Sequence, residues 1–228
     1  AGEGAAQLFF GSLTRGLFGG GFLYTNQDSL SLGVVLGIGG LLAKEPPLEA
    51  YTLLDEFKAR PEVAPLIAGG NTVEYSAHVI PEGGLAALPR LVGNGLVVVG
   101  DAAGLALNLG LTVRGMDLAL VSGVLAARAI LKAKESGDLT AAGLASYQTS
   151  LQESFILKDL TTFKDALHAL DNPRLFTRYP AAICNIFQQL MWVGEGPKAK
   201  LSATAMREGW KAFGNVDTIR DGMNLLKI

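Results

Sequence analysis

The sequence predicts a chain of the mixed α/β (α+β) class: an antiparallel sheet, then one buried strand feeding a long helix, then helices to the end. Three observations carry this expectation. Residues 30–38 alternate, with Leu30, Leu32, Val34, Leu36 and Ile38 on one side and Ser31, Gly33, Val35 and Gly37 on the other, which is the period of a strand with one buried face. Leu96–Val99 is an unbroken apolar run that stops at Gly100-Asp101, as in a strand covered on both faces. From Gly115 onward apolar residues recur at helical spacing, with Gly and Pro at the breaks.

In chain order, Gln7–Ser12 is a short apolar run, and Gly19-Gly20-Gly21 leads into Phe22-Leu23-Tyr24, with Asn26–Ser29 supplying the turn toward residues 30–38. Pro46-Pro47 open a helix, where a missing N–H does no harm, and Leu48, Tyr51, Leu54 and Phe57 give it an apolar stripe until Pro61. Gly69-Gly70 close a further turn. Thr72–Val79 alternates again, with Val73, Tyr75, Ala77 and Val79 opposite Thr72, Glu74, Ser76 and His78, and is expected as another strand. Asn94-Gly95 makes the turn into the buried strand. The helix over 115–134 carries Met116, Leu118, Leu120, Val124 and Ile130, with Ala126-Ala127-Arg128-Ala129 as a strong helix-forming run. Gly137-Asp138 break it, Thr140 caps a helix to about Leu170, and Asn172-Pro173 break that one. Helices over Pro180–Trp192 and Leu201–Phe213 flank a loop at Gly194–Pro197. The expected organisation is a sheet region with an inserted helix at 1–92, a strand–loop–helix region at 93–136 and a helical region at 137–228.

The chain has 228 residues, enough for a sizeable core. Apolar residues make up 49% and charged residues 18%, and mean hydropathy is +0.32, so the chain is greasier than an average soluble domain and is expected to bury surface against a partner, a further domain or a membrane face. Net charge is −2 with no basic block, which leaves nucleic-acid binding without an electrostatic footprint. The single cysteine, Cys184, excludes an intramolecular disulfide and a cysteine-ligated zinc or iron–sulfur site within the chain, and reads as a small core residue. No histidine, aspartate and glutamate cluster has metal-ligand spacing. The greasiest stretch, residues 30–43, carries four glycines and is shorter than the ~20 residues a bilayer span needs. With no signal peptide visible, a cytoplasmic location is the expectation. The opening Ala1-Gly2-Glu3-Gly4, without an initiating Met, reads as an entry into a longer polypeptide.

The chemistry concentrates in one unit. A carboxylate at the tip of a buried strand should be desolvated and needs hydrogen-bond donors. Ala102, Ala103 and Gly104 would let a ligand lie against the backbone beside Asp101. A helix opening at Gly115-Met116 offers free N–H groups and a partial positive charge, to which Arg114 could add. Such a unit suits a ligand carrying hydroxyls and phosphates. The residues alone equally allow Asp101 to be a turn cap. His78 is open to two readings, a proton donor at a site or a structural histidine beside Tyr75 and Glu74. Ser12, Ser76 and Ser122 have no histidine at a spacing that suggests a nucleophile, so no acid–base triad is expected.

Residues 95–127, with Gly100-Asp101-Ala102-Ala103-Gly104 and Ser122-Gly123-Val124-Leu125-Ala126-Ala127, resemble the second flavin motif of the glutathione-reductase-type FAD proteins. The resemblance is nearest to the branch that holds geranylgeranyl reductases and electron-transfer-flavoprotein–quinone oxidoreductases. Within it, Gly19 to Asn26, Glu74 to Glu82, Arg114-Gly115-Met116-Asp117, and Asn172 to Phe176 with Tyr179-Pro180 resemble the FixC flavoproteins. The likeness runs to about Lys200.

The resemblance implies a partial FAD-binding domain with an antiparallel substrate-side domain and C-terminal helices. It implies FAD as cofactor, with Gly100, Asp101, Ala102, Gly104, Arg114, Gly115 and Met116 contacting it and Asp101 on the ribityl chain. Gly20, Gly21, Phe22, Tyr24 and His78 would lie on the quinone side. The implied function is electron passage from a FixA/FixB-like electron transfer flavoprotein toward quinone or a FixX-like ferredoxin, with peripheral contact to the inner membrane. No Gly-x-Gly-x-x-Gly follows an opening strand, so the site for the ADP half of FAD is expected outside this chain. A prenyl-reducing flavoprotein, and a truncated or split-protein chain with no activity of its own, are the alternatives.

Overall fold

In the computed structural model, residues 3–110 and 112–226 are described. The elements are β1 (Ala6–Phe9), β2 (Gly19–Thr25), β3 (Leu30–Leu36), α1 (Ile38–Leu42), α2 (Ala50–Lys58) and α3 (Ala64–Ile67). There follow β4 (Val92–Gly93), β5 (Leu96–Val97), β6 (Leu107–Asn108), β7 (Val113–Arg114) and the long α4 (Met116–Ser136). Six further helices complete the chain: α5 (Ser146–Glu153), α6 (Phe155–Thr162), α7 (Ala166–Leu170), α8 (Arg178–Met191), α9 (Leu201–Phe213) and α10 (Val216–Leu225). This is the expected α+β class, with small antiparallel sheets and predominant helix. The chain divides into two compact units, one formed by residues 1–75 with 171–222, the other by 76–170 with 223–228.

In the first unit β1, β2 and β3 form an antiparallel meander, with Gly21 opposite Val34 and Phe22 opposite Gly33. Two glycines are dictated by close approach. The ring of the fully buried Phe57 on α2 sits where a Gly21 side chain would begin, 2.6 Å away, and the Phe22 ring covers Gly33 in the same manner at 2.4 Å. The face toward α2 carries Leu13, Phe57 and Val63 with Phe9, Leu32 and Val34 packed on them, and Phe9 meets Phe57 edge-on at 5.0 Å. On the other face Phe22 stacks on Tyr24. Farther on, Arg174 grips the buried Asp221 through two 2.7 Å hydrogen bonds, and the Tyr179 hydroxyl donates to the same carboxylate. The Arg174 guanidinium holds Asp221 well below the usual carboxylate range, although burial acts in the opposite direction.

The second unit is built round α4. Its buried residues are Leu118, Ser122, Ala126, Ala129 and Ala133, a mostly small-residue face against Leu91, Val92, Leu105, Leu107, Leu144, Tyr147, Leu151, Ile156 and Leu160. Its larger apolar residues Met116, Leu120, Val124 and Leu131 are exposed, so the helix buries a different stripe from the one its bulkiest residues suggest.

Several expectations are corrected. Thr72–Val79 forms no strand, and residues 71–80 are exposed (Val73 is 89% exposed), because a strand needs a ladder partner and none is present among the described residues. The run at 96–100 is likewise only a two-residue strand paired with β4, with Leu96 58% exposed rather than covered on both faces. The helix expected from Thr140 to Leu170 is three short helices starting at Ser146, because Ser154 turns its side chain onto the Ile156 N–H (3.2 Å) and caps a new helix. The Pro46-Pro47 pair precedes its helix, which begins at Ala50 and buries Leu53 and Phe57 while Tyr51 is exposed. Cys184 is exposed on α8 rather than in the core, and α10 is a helix the spacing did not announce.

Gly21→Ala should lower the unfolding free energy by about 1–3 kcal/mol in urea denaturation, because the buried Phe57 ring has nowhere to go. Gly123→Ala, inside α4 with nothing within 4 Å of the added methyl, should raise it by about 1 kcal/mol.

Candidate functional site

Asn94-Gly95 closes the β4–β5 hairpin, and the Val98 N–H bonds to the Leu91 carbonyl at 2.9 Å. Beyond Val98 the chain leaves the ladder. Gly100 takes φ +59°, the left-handed region, and opens a single turn of 3-10 helix (Gly100–Ala103) that ends at Gly104, φ +68°. Its amide donates to the Ser122 hydroxyl on α4 at 3.0 Å, and that hydroxyl donates to the Ala119 carbonyl at 2.8 Å. A Cβ on Gly100 would meet the Ala119 methyl at 3.2 Å, so the turn rests directly on the helix. From the other side the Tyr147 hydroxyl on α5 donates to the Val98 carbonyl at 3.0 Å. Burial pushes the Tyr147 phenol up to about 12, with the Ser122 hydroxyl acting against it, so the group remains a donor at neutral pH.

This framework presents Asp101. Its carboxylate is exposed and accepts no hydrogen bond among the described residues, which corrects the expectation of a desolvated group. An Asp101 oxygen lies 3.9 Å from the point where a Gly115 side chain would begin, so the two residues are neighbours. Gly115 is the N-cap of the 21-residue α4, and the first-turn N–H groups of that helix have no intrahelical acceptor. Burial pushes the nearby Asp117 carboxyl up, but the Arg114 guanidinium and, to a smaller extent, the backbone N–H groups of Leu118 and Asp117 outweigh that and lower it. No side chain caps this end of the helix.

Arg114 is engaged elsewhere. It bonds Asp117 at 2.6 and 2.9 Å and Asp159 on α6 at 2.6 Å, and lies 5.3 Å from the Phe155 ring centre. Both carboxylates raise its pKa, Asp117 most. Two carboxylates, Asp117 and Asp159, therefore share one guanidinium beside the start of α4. Two carboxylates on one cation leave Arg114 engaged within the protein.

The structure thus brings Gly100, Asp101, Ala102, Gly104, Arg114, Gly115 and Met116 into one unit, with Ala102 and Met116 exposed. Gly20, Gly21, Phe22 and Tyr24 lie on β2 of the other unit, where Gly20 is held free of a side chain by the Phe9 carbonyl 2.7 Å away. His78 is exposed in the irregular stretch before β4. Ser122 and Tyr147 were not singled out by the sequence as site residues. A serine on the small-residue face of a helix is a signal that could have found the first. Tyr147 has no local signal, since its partner lies 49 residues away. No group of three or more metal-ligating side chains occurs among the described residues.

Residues 3–80 match the family description "ETF-QO, ubiquinone-binding", and residues 166–228 match "ETF-QO/FixC family C-terminal domain". A probable electron transfer flavoprotein-quinone oxidoreductase, YdiS, of Escherichia coli K12 is 44% identical over 221 residues, and Protein FixC of the same strain is 45% identical over 221 residues. Each of these alignments covers 97% of this chain and 51% of the relative. Protein FixC of Rhizobium meliloti strain 1021 is 45% identical over 201 residues, 86% of this chain and 45% of that protein. The chain belongs to the ETF-QO/FixC family. It spans about half the length of the curated relatives it matches. The matched segments flank the Asp101–α4 unit, and the E. coli alignments extend over nearly the whole chain.

Arg114→Met should cost about 1–2 kcal/mol of stability, since it removes charged hydrogen bonds joining β7, α4 and α6 while keeping the aliphatic stem. Thermal denaturation should show a loss that shrinks in high salt.

Proposed function

We propose that the protein is an FAD-dependent oxidoreductase that passes electrons from a FixA/FixB-like electron transfer flavoprotein toward quinone, with a FixX-like ferredoxin as a further carrier. The observation that carries this reading is the unpartnered Asp101 carboxylate, held beside the bare N-cap Gly115 of a long helix, in a chain of the ETF-QO/FixC family. The residues present fit the ribityl end of FAD. The carboxylate accepts from hydroxyls, Ala102 and Gly104 allow close approach of the backbone, and the Gly115 and Met116 N–H groups with the positive end of the α4 dipole favour negative charge at the flavin's carbonyl edge. Arg114 serves by fixing β7 and α6 to the start of α4. FAD, when bound, supplies the acceptance and release of electrons, so the chain needs no acid–base triad. The ADP half of FAD is assigned to the part of the relatives that this chain does not span, and the exposed Met116, Leu120, Val124 and Leu131 face of α4 together with Leu96 suits burial against it.

Quinone is supported by the match of residues 3–80, and Gly20, Gly21, Phe22, Tyr24 and His78 are the proposed quinone-side residues. No helix among the described residues is long and apolar enough to cross a membrane. Access to quinone would come from a cytoplasmic protein in peripheral contact with the inner membrane.

Stopped-flow reoxidation of the flavin-loaded, anaerobically reduced protein tests the reading. A short-chain ubiquinone should reoxidise it rapidly and a prenyl diphosphate should not. Reoxidation by the prenyl substrate with indifference to quinone would overturn the assignment.

A further inference from the structure

We propose that Ser122 and Tyr147 are positioning residues, setting the place of Asp101 and thereby the affinity for the flavin while touching none of it. The proposal rests on the flavin reading of Asp101 and deepens it. Asp101 has no hydrogen-bond partner of its own among the described residues, so its position is inherited entirely from the backbone on either side. That backbone has little ladder to hold it: the β4–β5 pairing ends at Val97, and the Val98 N–H on Leu91 is the last strand-like bond.

From there two side chains take over. The Tyr147 hydroxyl fixes the Val98 carbonyl and the Ser122 hydroxyl fixes the Gly100 amide, so the grip closes on the chain just before Asp101. Both side chains are fully buried, and neither hydroxyl is explained by packing alone, because an alanine or a phenylalanine would fill the same space without a polar atom to satisfy. Ser122 is itself locked by its bond to the Ala119 carbonyl, so its oxygen can rotate little. Since α4 carries Ser122 and begins at Gly115, the same helix fixes both the turn that bears Asp101 and the N–H groups opposite it. Removing the Ser122 hydroxyl leaves the buried Gly100 amide without its partner, removing the Tyr147 hydroxyl leaves the partly buried Val98 carbonyl without its own, and the turn must shift to find another.

The test is a double-mutant cycle on the full-length protein, read as the dissociation constant for FAD when the apoprotein is titrated with it. Asp101→Ala, Ser122→Ala and Tyr147→Phe should each weaken binding by about tenfold. In the Asp101→Ala background, Ser122→Ala and Tyr147→Phe should have no further effect, because they act through Asp101. Amide hydrogen exchange at Gly100 should also quicken by about tenfold or more in Ser122→Ala, with no flavin present. A Ser122→Ala or Tyr147→Phe effect of equal size in both backgrounds would overturn the proposal, since that is the behaviour of general destabilisation. An Asp101→Ala effect with none from the two hydroxyl variants would overturn it and leave the flavin reading standing. No effect from Asp101→Ala would overturn both. Tyr147→Phe keeps the ring and carries the test if Ser122→Ala fails to fold.

Discussion

The Gly100 amide, lodged on the Ser122 hydroxyl at 3.0 Å, is the contact on which the geometry of the second unit turns. It joins the end of a short hairpin to the middle of a long helix. Everything the candidate site needs follows from that junction: a left-handed Gly100 so the chain can turn away from the ladder, an alanine at 119 so the turn can lie flat, and a serine one turn along α4 to receive the amide. Larger residues at any of the three would lift the turn off the helix. Small residues at Ala119 and Ser122 are therefore a requirement of close approach, while Leu118 is buried and Met116, Leu120, Val124 and Leu131 are turned outward.

Electrostatics then decides what the site can take. Arg114 is often the kind of residue that binds a phosphate, yet here both neighbouring carboxylates claim it. No side chain caps the N-terminus of α4. What remains is the exposed Asp101 carboxylate and an uncapped helix start. As proposed, such a set would take neutral hydroxyls and an oxygen that gains negative charge. Within the flavin reading, this leaves the sugar-like chain and the ring edge to this part of the protein and assigns the charged half of the cofactor to the part of the relatives outside it.

Much of this was legible in the sequence. The period-two alternation at residues 30–38 reads correctly as β3 because its cross-strand neighbours are close along the chain. The Gly100-Asp101 turn and the Gly115 helix start are read from local residue chemistry, and the structure brings them together. The same alternation misleads at Thr72–Val79, where the ladder partner a strand requires is absent among the described residues. Leu96–Val99 misleads likewise, since a hydrophobic run reports what a segment would bury and not whether anything covers it. The break at Ser154 is a contest between a side-chain oxygen and the helical carbonyls that spacing cannot score. Arg114 and Tyr147 depend on partners 45 and 49 residues away, beyond any local pattern.

The central claim is that the Asp101 carboxylate takes hydrogen bonds from ribityl hydroxyls, and the most direct measurement varies the hydroxyls. FAD analogues with the ribityl hydroxyls removed one at a time would be titrated against the apoprotein. We predict that at least one deoxy analogue binds about tenfold more weakly than FAD or worse. The difference should vanish when Asp101 is replaced by alanine. Equal affinity for FAD and every deoxy analogue in the unaltered protein would contradict the account.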